Sequence, residues 1–227
     1  MRTSLTLMFL LLNIYSFSQD HRLSILLSPL CLIDDFSFPT IQGGIEIKIS
    51  NRITFYNEFG VKYREGAYEY NDTSLIQSTG YKYKSEIRYY LKSSDNKRNT
   101  HQRGLYLGAN VFYLKDTHNG NITYYPGGDK AVINSDYFAV EKNVWGFNAV
   151  MGWHQVFKKH LILDPFWGLG VRFRTTENFQ REYDPNTDEA IFPREPTVYG
   201  IKGGIDTQTG TSSLLNIIGG VRIGYRF

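Results

Sequence analysis

The chain has 227 residues, 21% of them charged, and a formal net charge of only +3. That balance excludes a disordered polyelectrolyte and a strongly basic nucleic-acid binder. A mean hydropathy of −0.35 excludes a bundle of membrane helices, but it fits strands that alternate a lipid face with a polar face.

In chain order, Arg2 and the apolar run Leu5 to Leu12 read as a secretory signal peptide over 1–18, with Ser16 and Ser18 as small residues before a cleavage site. The run is shorter than the ~20 residues of a spanning helix. Residues 19–227 then form one β domain. Cys31 is the single cysteine, so an internal disulfide is excluded. Its upstream Ser28-Pro29-Leu30 does not match a lipoprotein signal, and a buried or lipid-facing thiol is expected.

From residue 20 onward the dominant signal is a period of two. It is cleanest from Tyr81 to Lys92, where Tyr81, Tyr83, Ser85, Ile87, Tyr89 and Leu91 oppose Lys82, Lys84, Glu86, Arg88, Tyr90 and Lys92. A helix would scatter these charges around its circumference, whereas a strand sorts them onto one face. The same sorting predicts strands over 22–33, 40–50, 52–65, 80–92, 104–116, 136–157, 161–175 and 213–227. The segment 176–212 leaves room for a further hairpin around Thr197 to Ile205, which would make ten strands. The fold class is therefore an all-β, antiparallel up-and-down transmembrane β-barrel of about eight strands.

The connections agree with that class. With an exported N-terminus, 34–39, 66–79, 117–135 and 176–212 fall outside the cell, while Asn51-Arg52, 93–103 and 158–160 face the periplasm. Long loops outside and mostly short turns inside are the asymmetry of outer-membrane barrels. Tyr63, Tyr81, Tyr83 and Phe173 are placed toward the outer interface, with Trp153, Phe157, Tyr89, Tyr225 and Phe227 toward the inner one. Two such aromatic girdles are expected of a membrane protein.

The last strand, with Val221, Ile223, Tyr225 and Phe227 on one face, resembles the C-terminal signature that barrel-assembly machinery recognises. Glu86-Ile87-Arg88-Tyr89-Tyr90-Leu91, a polar turn, then Gly104-Leu105-Tyr106-Leu107-Gly108-Ala109 resembles a family of small bacterial outer-membrane barrels of unknown function. These share the eight-stranded architecture of outer membrane protein A. The resemblance implies a fold and a Gram-negative outer-membrane location, and it brings no catalytic motif and no cofactor.

If the apolar faces meet lipid, the other faces meet inside. Glu46, Glu58, Glu86 and Asp164, with Arg88, Arg172, Arg222 and Arg226, are then candidates for a lumenal charge network. Lys48, Lys62, Lys82 and Lys84 share the inward faces. Buried charges must be paired or hydrated, so the ordinary expectation is a salt-bridge network. The sharper one is an anion-attracting pore or ligand pocket, based on the basic excess.

An even register across the 158–160 turn sets His154 opposite Asp164, two members of a hydrolase triad, although no serine is evident beside them. His21, His101, His118 and His160 fall at strand ends or in loops, without metal spacing. Asp184 to Glu189 reads as a solvated turn. The expected role is structural or surface-interacting, with loop 176–212 (Tyr183, Phe192, Tyr199) as the contact region. Partners would be outer-membrane lipid, lipopolysaccharide and the assembly machinery, with no nucleic acid. The alternatives are a lipid A-modifying enzyme and a secreted, lipocalin-like soluble barrel with its apolar faces inside.

Overall fold

The computed structural model describes residues 23–32, 39–63, 76–91, 104–158, 160–184, 186–191 and 209–227. Its strands are β1 (Leu23–Leu27), β2 (Thr40–Lys48), β3 (Ile53–Lys62), β4 (Ile76–Tyr90), β5 (Gly104–Tyr125), β6 (Asn134–Phe157), β7 (Leu161–Phe179), β8 (Glu189–Ala190) and β9 (Gly210–Arg226). All nine belong to one antiparallel sheet that closes in a ring. Each strand from β1 to β6 pairs with the next, and β9 pairs with both β7 and β1. β8 lies outside the ring, attached to the far end of β5 at Tyr124 and Tyr125. Eight strands thus make the wall. The predicted signal segment 1–18 and the possible hairpin at 197–205 lie outside the described residues.

Two connections at one end of the ring are tight. In the 49–52 turn the Ile49 and Ser50 amides donate to the Ile53 carbonyl at 3.0 Å, and Ser50 Oγ accepts from the Ile53 amide at 3.1 Å. The 158–160 turn is closed by the His160 amide on the Phe157 carbonyl at 3.1 Å.

Several strands differ from their predicted spans. β1 stops at Leu27, short of 33, because Pro29 has no amide to continue a ladder. The chain turns instead through a 3-10 segment, Pro29–Leu32, and the Ser28 hydroxyl donates to Glu58 inside the ring. β4 begins at Ile76, with an irregularity in its pairing to β5 between Ile76 and Thr79. The largest difference is at 117–135, expected as a loop. β5 continues to Tyr125 and β6 starts at Asn134, so the two form a projecting hairpin in register from Gly104↔His154 to Tyr124↔Asn134.

That projection reverses the pattern of the wall beneath it. In the lower part the outward residues are apolar and exposed, among them Ile45, Phe59, Ile87, Val111, Phe147 and Leu169, while Glu46, Glu86, Arg88, Asp164 and Arg222 are buried within. Beyond Lys115 on β5 the outward face becomes mostly polar, with Tyr137 and Phe179 as exposed aromatic exceptions. Lys115 pairs with Glu141 at 2.8 Å, the Thr175 and Thr211 hydroxyls meet at 3.0 Å, and Asn119 and Glu177 are exposed. On the inward side of the same hairpin, Ile122, Tyr124, Phe138 and Val140 pack with Tyr183 into an apolar cluster. Alternation therefore persists along the whole of β5 and β6, but the chemistry of the two faces exchanges.

Inward glycines make room for the large side chains of the lumen. Gly44 lies under the Tyr56 ring and Gly152 under the Tyr106 hydroxyl. At Gly170 a methyl group would run into the Phe147 carbonyl and the Asn148 side chain. Overpacking of this kind costs about 1–3 kcal/mol, so Gly170→Ala is expected to lower the urea midpoint of the refolded protein. Gly219→Ala, where an added Cβ meets only the Phe166 carbonyl at 3.7 Å, is expected to leave it unchanged.

Candidate functional site

The lumen has two halves of different chemistry. The half nearer the tight turns is a solid charge cluster. Arg88 reaches it from β4 and contacts Glu86 at 2.6 Å, Glu46 at 3.0 Å and Asp164 at 3.1 Å. Arg222 enters from β9 and contacts Glu86 at 3.1 Å and Asp164 at 3.3 Å. These five side chains are 0% exposed. The cross-strand register makes the meeting possible, because Asp164 lies directly opposite Arg222 on neighbouring strands.

Aromatic rings fill the space between the charges. The Tyr56 ring lies 4.4 Å from Arg88 Cζ and 4.6 Å from Arg222 Cζ. Phe166 covers Arg222 at 3.7 Å and Tyr106 covers Arg88 at 4.8 Å. The Tyr90 hydroxyl donates to Glu46 at 3.1 Å. Desolvated cations on ring faces gain about 2 kcal/mol or more, which helps offset the cost of burying charge. Lys84 and Glu58 pair at 2.6 Å beside the cluster. A ring of eight strands is just wide enough for such side chains to fill it, and here they do.

Of the predicted network, Glu46, Glu86, Arg88, Asp164 and Arg222 come together, and Glu58 joins through Lys84. Arg226 is buried nearer the tight-turn end, where its neighbour across the ladder is Ser24. Arg172 is elsewhere, in the other half of the lumen. Of the predicted C-terminal signature, Ile223 and Tyr225 are exposed on the outward face and Val221 is half-buried, and the Phe227 amide closes on the Leu23 carbonyl at 3.1 Å.

The pairs flanking His154, Gly152↔Phe166 and Gln155↔Leu163, set it opposite Asp164 as the sequence implied. Its Nδ1, however, also lies 3.5 Å from Glu46 Oε2, and Asp164 is held by two guanidiniums. Both residues are 0% exposed, enclosed within the charge cluster.

Above the cluster runs a ladder of asparagines. Asn216 Nδ2 donates to Asn148 Oδ1 at 2.7 Å, Asn148 Nδ2 to Asn110 Oδ1 at 2.8 Å, and Asn110 Nδ2 to Glu86 at 3.5 Å. Beyond it the lumen opens into a cavity of about 410 Å³ whose lining includes Lys82, Lys84, Lys142, Arg172 and Arg174. Sequence reasoning placed these strands but missed the ladder and the aromatic rings packed on the guanidiniums. Their signal was Asn and aromatic residues at inward positions beside the charged ones.

At the long-loop end, 180–184 and 186–191 fold onto the β5–β6 hairpin. Asp136 Oδ2 accepts the Glu182 and Tyr183 amides at 2.6 and 2.9 Å. Asp188 accepts the Gly127 and Asp184 amides at 2.9 and 2.8 Å. One expectation is corrected here: Tyr183 is buried and packed edge-on against Tyr124, not an exposed contact residue. Asp184 and Asn186 to Glu189 form the expected solvated turn, mostly exposed and tied to the hairpin through Asp188. Phe192 and Tyr199 lie outside the described residues. His118, expected in a loop, is buried on β5 with Nδ1 3.6 Å from Asp116.

Hydrogen bonds to a charged acceptor are worth about 1.5–3 kcal/mol, so Asp136→Ala is expected to expose 180–191 to limited proteolysis while the ring stays intact. The two amides donating to Asp188 hold its carboxyl below the usual aspartate range. A carboxyl lowered by folding stabilises above the free pKa of about 3.9 and loses that contribution as pH falls through its lower folded value. Pepsin cleavage in this segment is therefore expected to rise below about pH 4, and that rise to be absent in Asp188→Asn.

No family model, curated protein or solved structure matches this chain. The resemblance of the 86–109 hairpin to small outer-membrane barrels therefore rests on its sequence alone.

Proposed function

We propose that this chain is an eight-stranded, up-and-down transmembrane β-barrel of the outer membrane, with a structural or surface-interaction role. On this reading its inner half is sealed by ion pairs and its outer end carries a folded cap. One observation carries the proposal, the exchange of faces along β5 and β6. An exposed band of Ile, Leu, Phe, Trp and Val over charged contents suits a wall in hydrocarbon, and a polar exterior over an apolar cluster suits a wall in water. One continuous sheet with both patterns fits a barrel that crosses a bilayer and projects beyond it.

Aromatic placement supports the same reading. Trp153, Phe157, Tyr89 and Tyr225 are exposed toward the tight turns, and Tyr63, Tyr81 and Tyr83 toward the other end. A soluble lipocalin-like barrel would need the apolar faces inside, and an apolar surface this extensive is not kept in water by a monomer. The dense cluster argues against free diffusion through the lumen.

The test is cell fractionation followed by gel electrophoresis with and without boiling. The proposal expects recovery with the outer membrane and a compact, faster-migrating unboiled band. Recovery in the soluble fraction without a heat-dependent shift would refute it.

A further inference from the structure

We propose that the cavity in the outer half of the lumen binds a small organic monocarboxylate, its carboxylate on Arg172 and a hydroxyl or N–H donor on the Asn216 amide. The site is built from the ring and its contents, whichever solvent surrounds the wall. Most of the basic excess in this cavity is already engaged. Lys84 pairs with Glu58 at 2.6 Å, Asp116 takes Lys62 at 3.2 Å, and Lys82, Lys142 and Arg174 each interact with a neighbour. Arg172 lines the same cavity and makes no ion pair or hydrogen bond among the described residues. It is half-buried. One guanidinium left over calls for one negative charge, and its two parallel N–H donors match a carboxylate.

Asn216 supplies the second contact. It stands at the end of the amide ladder, where its Nδ2 donates to Asn148 Oδ1 at 2.7 Å. The oxygens of Asn148 and Asn110 both accept from the next amide along. The Asn216 Oδ1 accepts nothing among the described residues, although the residue is only 8% exposed and lines the cavity. A buried acceptor without a donor is costly. The ladder runs one way, each amide donating toward Glu86, so its open end is an acceptor and asks for a donor from the ligand.

Strand register brings the two groups together. Arg172 is opposite Leu214 and Asn216 is opposite Gly170 on the paired strands β7 and β9. Arg172 and Asn216 are therefore diagonal neighbours on the inward face, a separation of ~7–8 Å that one small molecule can bridge. Phe112, Leu114 and Val144 add apolar lining for the body of such a molecule. A volume of about 410 Å³ falls within the ~300–1,000 Å³ range of small-molecule sites.

The experiment is isothermal titration calorimetry of the full chain in nonionic micelles with 4-hydroxybenzoate, 4-hydroxybenzamide and benzoate, each corrected with empty micelles. The hydroxylated acid is expected to bind saturably and at least about tenfold tighter than its amide, the effect of one charge-assisted contact. It is expected to bind about fivefold tighter than benzoate, which lacks the donor. Arg172→Gln is expected to erase the preference for acid over amide. Asn216→Ala is expected to erase the preference for the hydroxylated acid over benzoate and to keep the other.

Each variant is first checked for the heat-dependent gel shift. Should one lose it, Arg172→Lys or Asn216→Leu is read in its place, the lysine keeping the charge without the two-pronged geometry and reducing the acid preference. No saturable binding, equal affinity for acid and amide, or an acid preference that survives at full size in the Arg172 variant would overturn the site. A hydroxyl preference that is absent, or that survives in the Asn216 variant, would overturn the second contact. Protein that fractionates with the outer membrane and shifts on heating, yet binds none of the three probes, refutes this inference alone. Selective binding by protein recovered in the soluble fraction would refute the membrane reading and support the site.

Discussion

Arg88→Met is expected to destabilise the folded protein by about 3–5 kcal/mol, the cost of leaving buried charge uncompensated. Arg88 contacts Glu46, Glu86 and Asp164 together, at 2.6 to 3.1 Å and 0% exposure. Methionine fills much of the volume and keeps contact with the Tyr56 and Tyr106 rings. The loss is therefore electrostatic and not a cavity effect. Urea unfolding of refolded protein, followed by the loss of the compact gel band, measures it.

Two comparisons sharpen the result. Arg174→Met, at the half-exposed wall of the open cavity, is expected to change stability by less than about 0.5 kcal/mol, as is usual for exposed sites. Arg88→Met combined with Glu46→Gln is expected to cost less than the sum of the separate changes, because the two groups touch. Equal effects at Arg88 and Arg174 would contradict the sealed inner half.

Ala109→Lys is expected to cost about 2–4 kcal/mol in lipid vesicles, the penalty for a lysine at mid-membrane on the lipid face of a barrel. Ala109 is exposed, in the middle of the outward series Leu105, Leu107, Ala109, Val111 and Tyr113 on β5. Replacing alanine removes almost no packing, so in water the change would be near neutral. Asn119→Lys is the control, on the same strand and the same exposed face but beyond the Lys115–Glu141 pair. It is expected to be silent. A penalty at 109 with none at 119 locates the boundary between lipid and water along one strand.

The wall of the ring was legible because every strand in it carries a period of two, and the period survives whatever solvent lies outside. The Tyr81 to Lys92 stretch put Lys84, Glu86 and Arg88 on one face, and the structure places all three inward. Partner choice within the cluster was less legible. Arg88 bonds to carboxylates on three strands, including its own neighbour Glu86, and such meetings depend on strand register and ring closure.

The projecting hairpin was missed for a different reason. After Asp116 the outward residues become Thr117, Asn119 and Thr123, so a search for apolar outward faces ended the strand there. The alternation itself continued through His118, Ile122 and Tyr124 on the inward side. β1 failed in the opposite sense, since its apolar run extended past Pro29 although the ladder could not.

All three tryptophans of the chain, Trp145, Trp153 and Trp167, face outward and are more than half exposed. Their fluorescence in the unmodified protein therefore reports what surrounds the wall. The decisive measurement is quenching of that emission after reconstitution into vesicles whose lipids carry bromine on the acyl chains, compared with quenching by aqueous iodide. A wall in hydrocarbon predicts strong loss of emission with brominated lipid and little response to iodide. Strong iodide quenching with no effect of bromine would contradict the membrane-spanning account.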